Sequence, residues 1–152
     1  MPVLKNEWHK RYLALAYEVA KWSKDPSSKI GAIAVGKKGQ VLAQGYNGFP
    51  RGISHSAARL SDRDTKYKYV VHAEMNMIYN AGYNGVSLDG AEVYVTGLPV
   101  CCECAKGLIQ VGVNQVIMPA FTADTPQKWI DSFEFTKELF NEAGVGFQLL
   151  EE

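Results

Sequence analysis

The feature that most constrains this sequence is a pair of short segments that together can hold one metal ion. His72 and Glu74 form a His-x-Glu segment, and Cys101 and Cys104 form a Cys-x-x-Cys pair further along the chain. A structural zinc ion normally has four imidazole or thiolate ligands, and the sequence offers no obvious fourth. The pattern therefore predicts a catalytic zinc, bound by His72, Cys101 and Cys104, with one position open. A structural zinc, with Glu74 only capping its helix, is the alternative.

Both halves of this motif are predicted to lie at the start of a helix. One helix is expected from His72 to about Gly82 and another over residues 102–112, with a strand over residues 91–97 between them. Cysteines at positions i and i+3 share one face of a first helical turn. The free N–H groups and positive dipole end of a helix N-terminus favour thiolate over thiol. The fold must then bring two helix N-termini together at one ion.

The predicted zinc site suits hydrolysis at neutral pH. A zinc ion with an open position lowers the pKa of bound water to about 7, which supplies a hydroxide nucleophile. Glu74 stands two residues beyond the histidine. Its carboxylate is well placed to accept a proton from the water and deliver it to a leaving group. Glu74 is therefore the predicted catalytic residue.

Composition limits the classes of protein to which the chain can belong. Its 152 residues, 47% hydrophobic and 21% charged, suit one globular domain over residues 1–152. A net charge of zero argues against a broad nucleic-acid-binding surface. The three cysteines all lie within residues 101–104, which favours metal-bound thiols in a reducing compartment. Because there is no long apolar run and no signal-peptide core, we expect a cytoplasmic protein without a membrane segment.

The order of elements predicts an α/β fold. Helices and strands alternate after His72, which implies βαβ crossovers and a parallel sheet. Two short apolar runs joined by residues 36–39 predict an antiparallel hairpin, so the five-stranded sheet should be mixed, with helices on both faces. The predicted strands are 30–35, 40–44, 91–97, 113–118 and 145–150, and the further helices are 7–22 and 131–143.

The sequence signals are weaker for the role of helix 7–22 and for residues 51–68. Along helix 7–22, an apolar stripe is expected to face the core, and Trp8 and Trp22 are expected in the core or in subunit contacts. Residues 51–68 carry several basic side chains and are predicted to form a solvated loop or lid, with anion recognition as the alternative.

Five segments resemble the deoxycytidylate (dCMP) deaminase family, a branch of the zinc-dependent cytidine/deoxycytidylate deaminase superfamily. They occur in order and with similar spacing, and the resemblance runs from about Trp22 to Val145. The segments are residues 23–32 (SKDPSSKIGA), 45–50 (GYNGFP), 66–67 (KY), 72–74 (HAE) and 103–106 (ECAK).

This resemblance implies a three-layer α/β/α cytidine-deaminase-like fold with one catalytic zinc. It also implies an activity, the hydrolytic deamination of dCMP to dUMP and ammonia, which supplies the precursor for dTMP synthesis. Hydroxide would add to C4 of the cytosine ring while Glu74 carries a proton to the departing amine. Carried over by position, Asn47 would hydrogen-bond the sugar and Ser28 would lie near the nucleotide.

The resemblance further implies regulation and assembly. The family is typically a homohexamer, activated by dCTP and inhibited by dTTP, with Mg2+ expected to accompany a triphosphate effector. The effector site would include Gly45, Tyr46, Asn47, Gly48 and Lys66. On charge alone, the candidates for phosphate contacts are Arg51, Arg63 and Lys66.

One residue departs from the family motif, in which Pro directly precedes the first Cys. Here Val100 lies between Pro99 and Cys101, so either the loop has one extra residue or Cys102 competes as a ligand. The Cys-x-x-Cys spacing favours Cys101 and Cys104.

Other functions stay open at this level. The metal motif also suits a zinc deaminase of a free nucleoside, a base or tRNA adenosine, although zero net charge disfavours RNA. The chain could instead be a catalytically silent nucleotide-sensing module that keeps zinc for stability.

Overall fold

The computed structural model describes residues 2–150. Helices and strands alternate along the chain after an N-terminal helix and a hairpin. The elements are α1 (Pro2–Ala20), β1 (Gly31–Val35), β2 (Val41–Tyr46), α2 (Ala57–Ser61), α3 (Arg63–Tyr69), α4 (Ala73–Asn84), β3 (Glu92–Thr96), α5 (Cys102–Gln110), β4 (Gln115–Pro119), α6 (Gln127–Ala143) and β5 (Gly146–Leu150).

The five strands form one mixed sheet in the order β2-β1-β3-β4-β5. β1 is antiparallel to β2 and to β3, whereas β3, β4 and β5 run parallel. The hairpin between β1 and β2 turns at Gly39, whose φ of 83° is strained for residues with a Cβ. The predicted mixed sheet is confirmed, and every predicted strand is found within two residues of its expected bounds.

Helices cover both faces of the sheet. α1 packs on one face, where Leu13 and Ala16 join Ile33 and Tyr94 in an apolar cluster. α4, α5 and α6 pack on the other face and supply the larger cluster with the alternate strand residues. This arrangement confirms the three-layer α/β/α architecture, because the alternation of side chains along each strand feeds both layers.

The apolar stripe on α1 is only partly the predicted one. Ala16 and Val19 are buried, but Leu15 is exposed. Trp8 and Trp22 are 47% and 57% exposed, so neither belongs to the core of this chain. The alternative, in which these rings contact another subunit, stays a prediction.

Residues 51–68, predicted to form a solvated loop or lid, are largely exposed as predicted but are not a loop throughout. The segment contains two short helices, α2 and α3, and Ser56 caps the first by accepting a hydrogen bond from the Arg59 amide. Lys66, in the middle of α3, is buried. Its charge is balanced by a residue distant in sequence, and no local pattern could reveal such a pairing. Among the described residues, no helix is both long and apolar enough to cross a membrane.

Gly45 fixes the distance between β2 and α4. A Cβ atom at this position would overlap the Met77 amide nitrogen and the Ala73 carbonyl oxygen, both backbone atoms. α4 can therefore lie this close to β2 only because Gly45 has no side chain. The contact matters for the site described below, because His72 is the N-cap of α4 and Glu74 lies in its first turn.

We expect Gly45→Ala to lower the free energy of unfolding by about 1–3 kcal/mol, because α4 must move away from the sheet. Urea denaturation monitored by circular dichroism measures the change. The matched control is Gly82→Ala on α4, where a Cβ meets nothing within 4 Å. A glycine in a helix interior is less favourable than alanine, so this control should be neutral or stabilising. Equal stability of Gly45→Ala and the wild-type protein would contradict the packing explanation.

Candidate metal and catalytic site

The three predicted zinc ligands lie together at one edge of the sheet. His72 Nδ1 is 3.4 Å from Cys101 Sγ and 3.4 Å from Cys104 Sγ. All three ligand atoms lie within 4.8 Å of one another. Glu74 lies beside this cluster and is only 4% exposed.

Helix caps place the ligands. His72 is the N-cap of α4 and Cys101 is the N-cap of α5, both with extended backbone angles. Cys101 Sγ accepts a hydrogen bond from the Cys104 amide at 3.4 Å, so the first turn of α5 holds its own two sulfurs close together. Two helix N-termini therefore converge on one point, as the spacing predicted.

The donor set fits a tetrahedral zinc ion. Zinc–sulfur and zinc–nitrogen bonds of ordinary length would separate nitrogen and sulfur ligand atoms by about 3.6 Å. The observed separations of 3.4 Å lie close to this value. In the part of the chain that the structure describes, no fourth His, Cys, Asp or Glu joins the group. The site therefore has the three-ligand form of catalytic zinc rather than the closed form of structural zinc.

The pKa values of the three predicted ligands are strongly shifted by their neighbours. Hydrogen bonds from Cys104 and then His72 lower the pKa of the Cys101 thiol to about 4. The hydrogen bond with Cys101 raises the pKa of His72, while the same partner and burial raise the pKa of Cys104 well above its usual range. The shift at Cys101 favours the thiolate, which is the form of cysteine that binds a metal ion.

Glu74 has the properties of a proton carrier. Burial and, next, the negative charge of Cys101 raise the pKa of its carboxyl to about 7, while His72 opposes the shift. A carboxyl with this pKa accepts and releases a proton near neutral pH, which a solvated glutamate does not.

A cleft of about 180 Å3 opens beside the cluster. Its inner end contains His72, Glu74 and Cys101, and its other walls come from the loop before β1, from α3 and from the start of α6. Besides the inner end, its polar and aromatic lining comprises Asp25, Ser27, Ser28, Asn47, Arg63, Lys66, Tyr67, Lys128 and Trp129.

Asn47 and Ser28, predicted to contact the nucleotide, both line this cleft. The Asn47 side chain also joins two loops, since its Oδ1 accepts from the Ile30 amide at 2.9 Å and its Nδ2 donates to the Ser28 carbonyl at 2.8 Å. An amide side chain has four hydrogen-bonding positions, so one donor and one acceptor position remain.

A buried ion pair that the sequence did not reveal lies on the cleft wall. Lys66 Nζ is 3.2 Å from Asp25 Oδ1, and both side chains are buried. The same Asp25 oxygen accepts from the amides of Ser27 and Ser28 at 2.8 and 3.1 Å. The Asp-Pro-Ser-Ser sequence is typical of such a turn, but nothing local predicts Lys66 as a partner.

Four of the five residues predicted for an effector site, Gly45 to Gly48, form one continuous segment at the end of β2, and the fifth, Lys66, lies on α3. Asn47 and Lys66 line the cleft beside the metal cluster. Gly45 packs against α4, Tyr46 contacts Trp22 edge-on at the surface, and Gly48 forms a bridge with Val71. Mg2+ has no support, because the described residues contain no second group of three or more His, Cys, Asp or Glu suited to an ion.

The departure at Val100 has a structural explanation. Val100 is fully buried in the core, and its carbonyl accepts a hydrogen bond from Thr136 of α6 at 2.9 Å. Cys102 stands outside the ligand group, and its backbone amide donates to Ser132 of α6 at 3.0 Å. The extra residue thus anchors the cysteine loop to α6, and the Cys101/Cys104 pairing keeps its geometry.

The cations predicted from charge alone to contact the phosphate only partly match the cations that line the cleft. Arg63 and Lys66 line the cleft, whereas Arg51 lies elsewhere and donates to Asn80 at 2.6 Å. Lys128 and Trp129 line the cleft but were not among the predicted site residues; they lie in the first turn of α6, which begins at Gln127, four residues before its predicted start. Trp129 lies edge-on to His72 with ring centroids 6.4 Å apart.

Comparisons with known proteins agree with this geometry. A family model described as the cytidine and deoxycytidylate deaminase zinc-binding region matches residues 6–120. The human deoxycytidylate deaminase is 42% identical over 149 residues, covering 93% of this chain and 79% of the human protein. A protein of Aliivibrio fischeri named "Uncharacterized deaminase in luxG 3'region" is 36% identical, covering 92% of this chain and 91% of its own.

A solved structure shares the fold. The dCMP deaminase from the cyanophage S-TIM5, in complex with dCMP and dUMP, matches with a TM-score of 0.74 and 26% identity. The match covers 95% of this chain and 97% of the cyanophage chain. With the family model, the relatives and the fold in agreement, this chain belongs to the cytidine and deoxycytidylate deaminase family and is a deaminase enzyme.

Proposed function

We propose that this enzyme catalyses the zinc-dependent hydrolytic deamination of dCMP to dUMP and ammonia. The observation that carries the proposal is a His72, Cys101 and Cys104 cluster with buried Glu74 at one end of a cleft that is basic further out. Hydrolytic deamination needs the three metal ligands and the carboxylate of Glu74. The basic residues of the cleft suit a phosphorylated substrate. The human and cyanophage relatives, named as deaminases of this nucleotide, support the same substrate.

In this proposal, His72 Nδ1 and the sulfurs of Cys101 and Cys104 hold zinc, which supplies an activated water molecule when bound. Glu74 accepts one proton from that water and passes it to the ring nitrogen N3 as the water oxygen adds to C4. It then takes the second proton of the same oxygen and gives it to the exocyclic amine, so that the C4–N bond breaks and ammonia leaves. Its buried position keeps bulk water from competing for the proton, and its raised pKa matches the two roles.

The rest of the nucleotide would extend along the cleft. The cytosine ring lies beside Glu74, and the free hydrogen-bonding positions of Asn47 face the sugar. Ser28 stands on the same wall. The phosphate lies toward the basic end, where Arg63 and Lys66 are the cations that charge alone had suggested.

Glu74→Gln should lower kcat for dCMP by about 10²- to 10⁴-fold, because the amide cannot carry a proton. Zinc should remain bound, since the three ligands are untouched. Ammonia release and elemental analysis of the same preparation measure both quantities. Glu138→Gln, a change of the same type at an exposed position on α6, is the control. Near-normal turnover by Glu74→Gln would exclude the proton-carrier role.

The enzyme should prefer dCMP to deoxycytidine and cytosine. Charge-assisted hydrogen bonds to the phosphate should raise kcat/KM for dCMP by about 10- to 100-fold over deoxycytidine. Ammonia release with the three compounds side by side tests this preference. A higher kcat/KM for either unphosphorylated compound would reject dCMP as the substrate.

We also propose that the enzyme assembles as a hexamer and responds to dCTP and dTTP. The exposed rings of Trp8 and Trp22 provide apolar surface for subunit contacts. The loop from Gly45 to Gly48 packs on α4 and shares Asn47 with the cleft. A ligand that moved this loop would shift the helix that begins at His72.

At a dCMP concentration below KM, dCTP should raise and dTTP should lower the initial rate. Light scattering on the same samples measures the subunit number. If neither nucleotide changes the rate at millimolar concentration, regulation through this loop is absent. A mass equal to that of a monomer would contradict the proposal that Trp8 and Trp22 lie in contacts between subunits.

A further inference from the structure

The outer end of the cleft is spanned by a contact between α3 and α6. Lys128 Nζ donates a hydrogen bond to Tyr67 Oη at 2.7 Å. The same ammonium lies 4.7 Å from the centroid of the Tyr67 ring and 4.8 Å from that of Trp129. All three residues line the cleft, and 61 positions of sequence separate the hydrogen-bonded pair. The contact is therefore a feature of the folded cleft and not of local sequence.

The three cations of the cleft differ in how their charges are balanced. Lys66 is paired with Asp25 at 3.2 Å, and both are buried. Among the side chains that the structure describes, residues 7–150, neither Arg63 nor Lys128 forms an ion pair with a carboxylate. The outer cleft thus carries excess positive charge, although the whole chain is neutral.

Lys128 is better able than Lys66 to change partner. Removing Lys66 from Asp25 would leave a buried carboxylate without its counter-charge, which is costly. Lys128 is held instead by one hydroxyl and two ring faces, all neutral groups. A phosphate monoester carries about −1.5 to −2 charges at neutral pH and is a far stronger acceptor than a phenol.

Two aromatic rings also reduce the entropic cost of using this lysine. A surface lysine normally samples many rotamers, and fixing it costs free energy on binding. Here the ammonium is already held over the cleft before any substrate arrives. Its exposed position on α6 leaves it free to rotate from the hydroxyl toward a ligand.

We propose that Lys128 determines specificity for the phosphorylated substrate, by exchanging the Tyr67 hydroxyl for a phosphate oxygen while the rings of Tyr67 and Trp129 keep it in place. The proposal rests on the function proposed above, because it assumes that a nucleotide lies in this cleft with its phosphate outward. It adds a residue from α6 to the phosphate contacts and gives the bridge between α3 and α6 a role in binding.

Steady-state kinetics of Lys128→Met with dCMP and deoxycytidine tests the proposal. The ratio of kcat/KM for dCMP to that for deoxycytidine should fall about 10- to 100-fold, mainly through the KM for dCMP. Lys128→Arg keeps the charge and should recover most of the ratio. Lys137→Met is the matched control: it removes a charge from the same helix, but Lys137 pairs with Glu134 at 2.8 Å and does not line the cleft.

Product binding gives a second readout that does not depend on turnover. Calorimetry should show that Lys128→Met weakens dUMP binding by a similar factor, while Lys137→Met binds dUMP like the wild-type protein. A dCMP preference and dUMP affinity within twofold of wild type in Lys128→Met would overturn the Lys128 proposal and leave the proposed function intact. A wild-type enzyme that does not prefer dCMP would overturn both.

Discussion

The convergence of two helix N-termini on one cluster is the constraint on which the rest of the site depends. His72 and Cys101 are both N-caps, so the starts of α4 and α5 are fixed by the atoms that would hold the ion. β3 and the loop that follows it connect the two helices, and Val100 ties that loop to α6. The geometry of the three ligand atoms therefore depends on how three helices pack. α4 packs on Gly45, α5 packs in the core, and α6 is hydrogen-bonded through Thr136 to the cysteine loop.

The two ends of the cleft are built differently. The inner end is formed by the caps and first turns of α4 and α5, where Glu74, Cys101 and Cys104 are buried. The outer end is assembled from the loop before β1, from short α3 and from the first turn of α6. A few polar contacts join these pieces, chiefly the Asp25–Lys66 pair, the Asn47 amide and the Tyr67–Lys128 hydrogen bond.

The sequence predicted the residues of the inner end and several residues further along the cleft, but not the contacts that join the pieces of the outer end, for a physical reason. The metal cluster uses residues at helix starts, and both the ligand spacing and the helix signals are local. The sheet follows from alternating and continuous apolar runs, which are also local. The Asp25–Lys66 pair joins positions 41 residues apart, and Lys128 meets Tyr67 across 61. The periodicity of apolar residues along the sequence does not indicate contacts between such distant positions. For the same reason, the charge pattern of residues 51–68 does not reveal that Lys66 is buried and paired with an aspartate from another part of the chain.

Net charge and local charge thus give different information about this protein. A formal charge of zero argues against an extended cationic surface for RNA, yet it does not limit what a small cleft can bind. What matters there is which cations are already paired. Lys66 is neutralised by Asp25, so its main contribution is to hold the cleft wall and the turn at Ser27 and Ser28. Arg63 and Lys128 keep their charge available at the outer end, and the distance between the metal cluster and these unpaired cations sets the size of anionic substrate that can reach both.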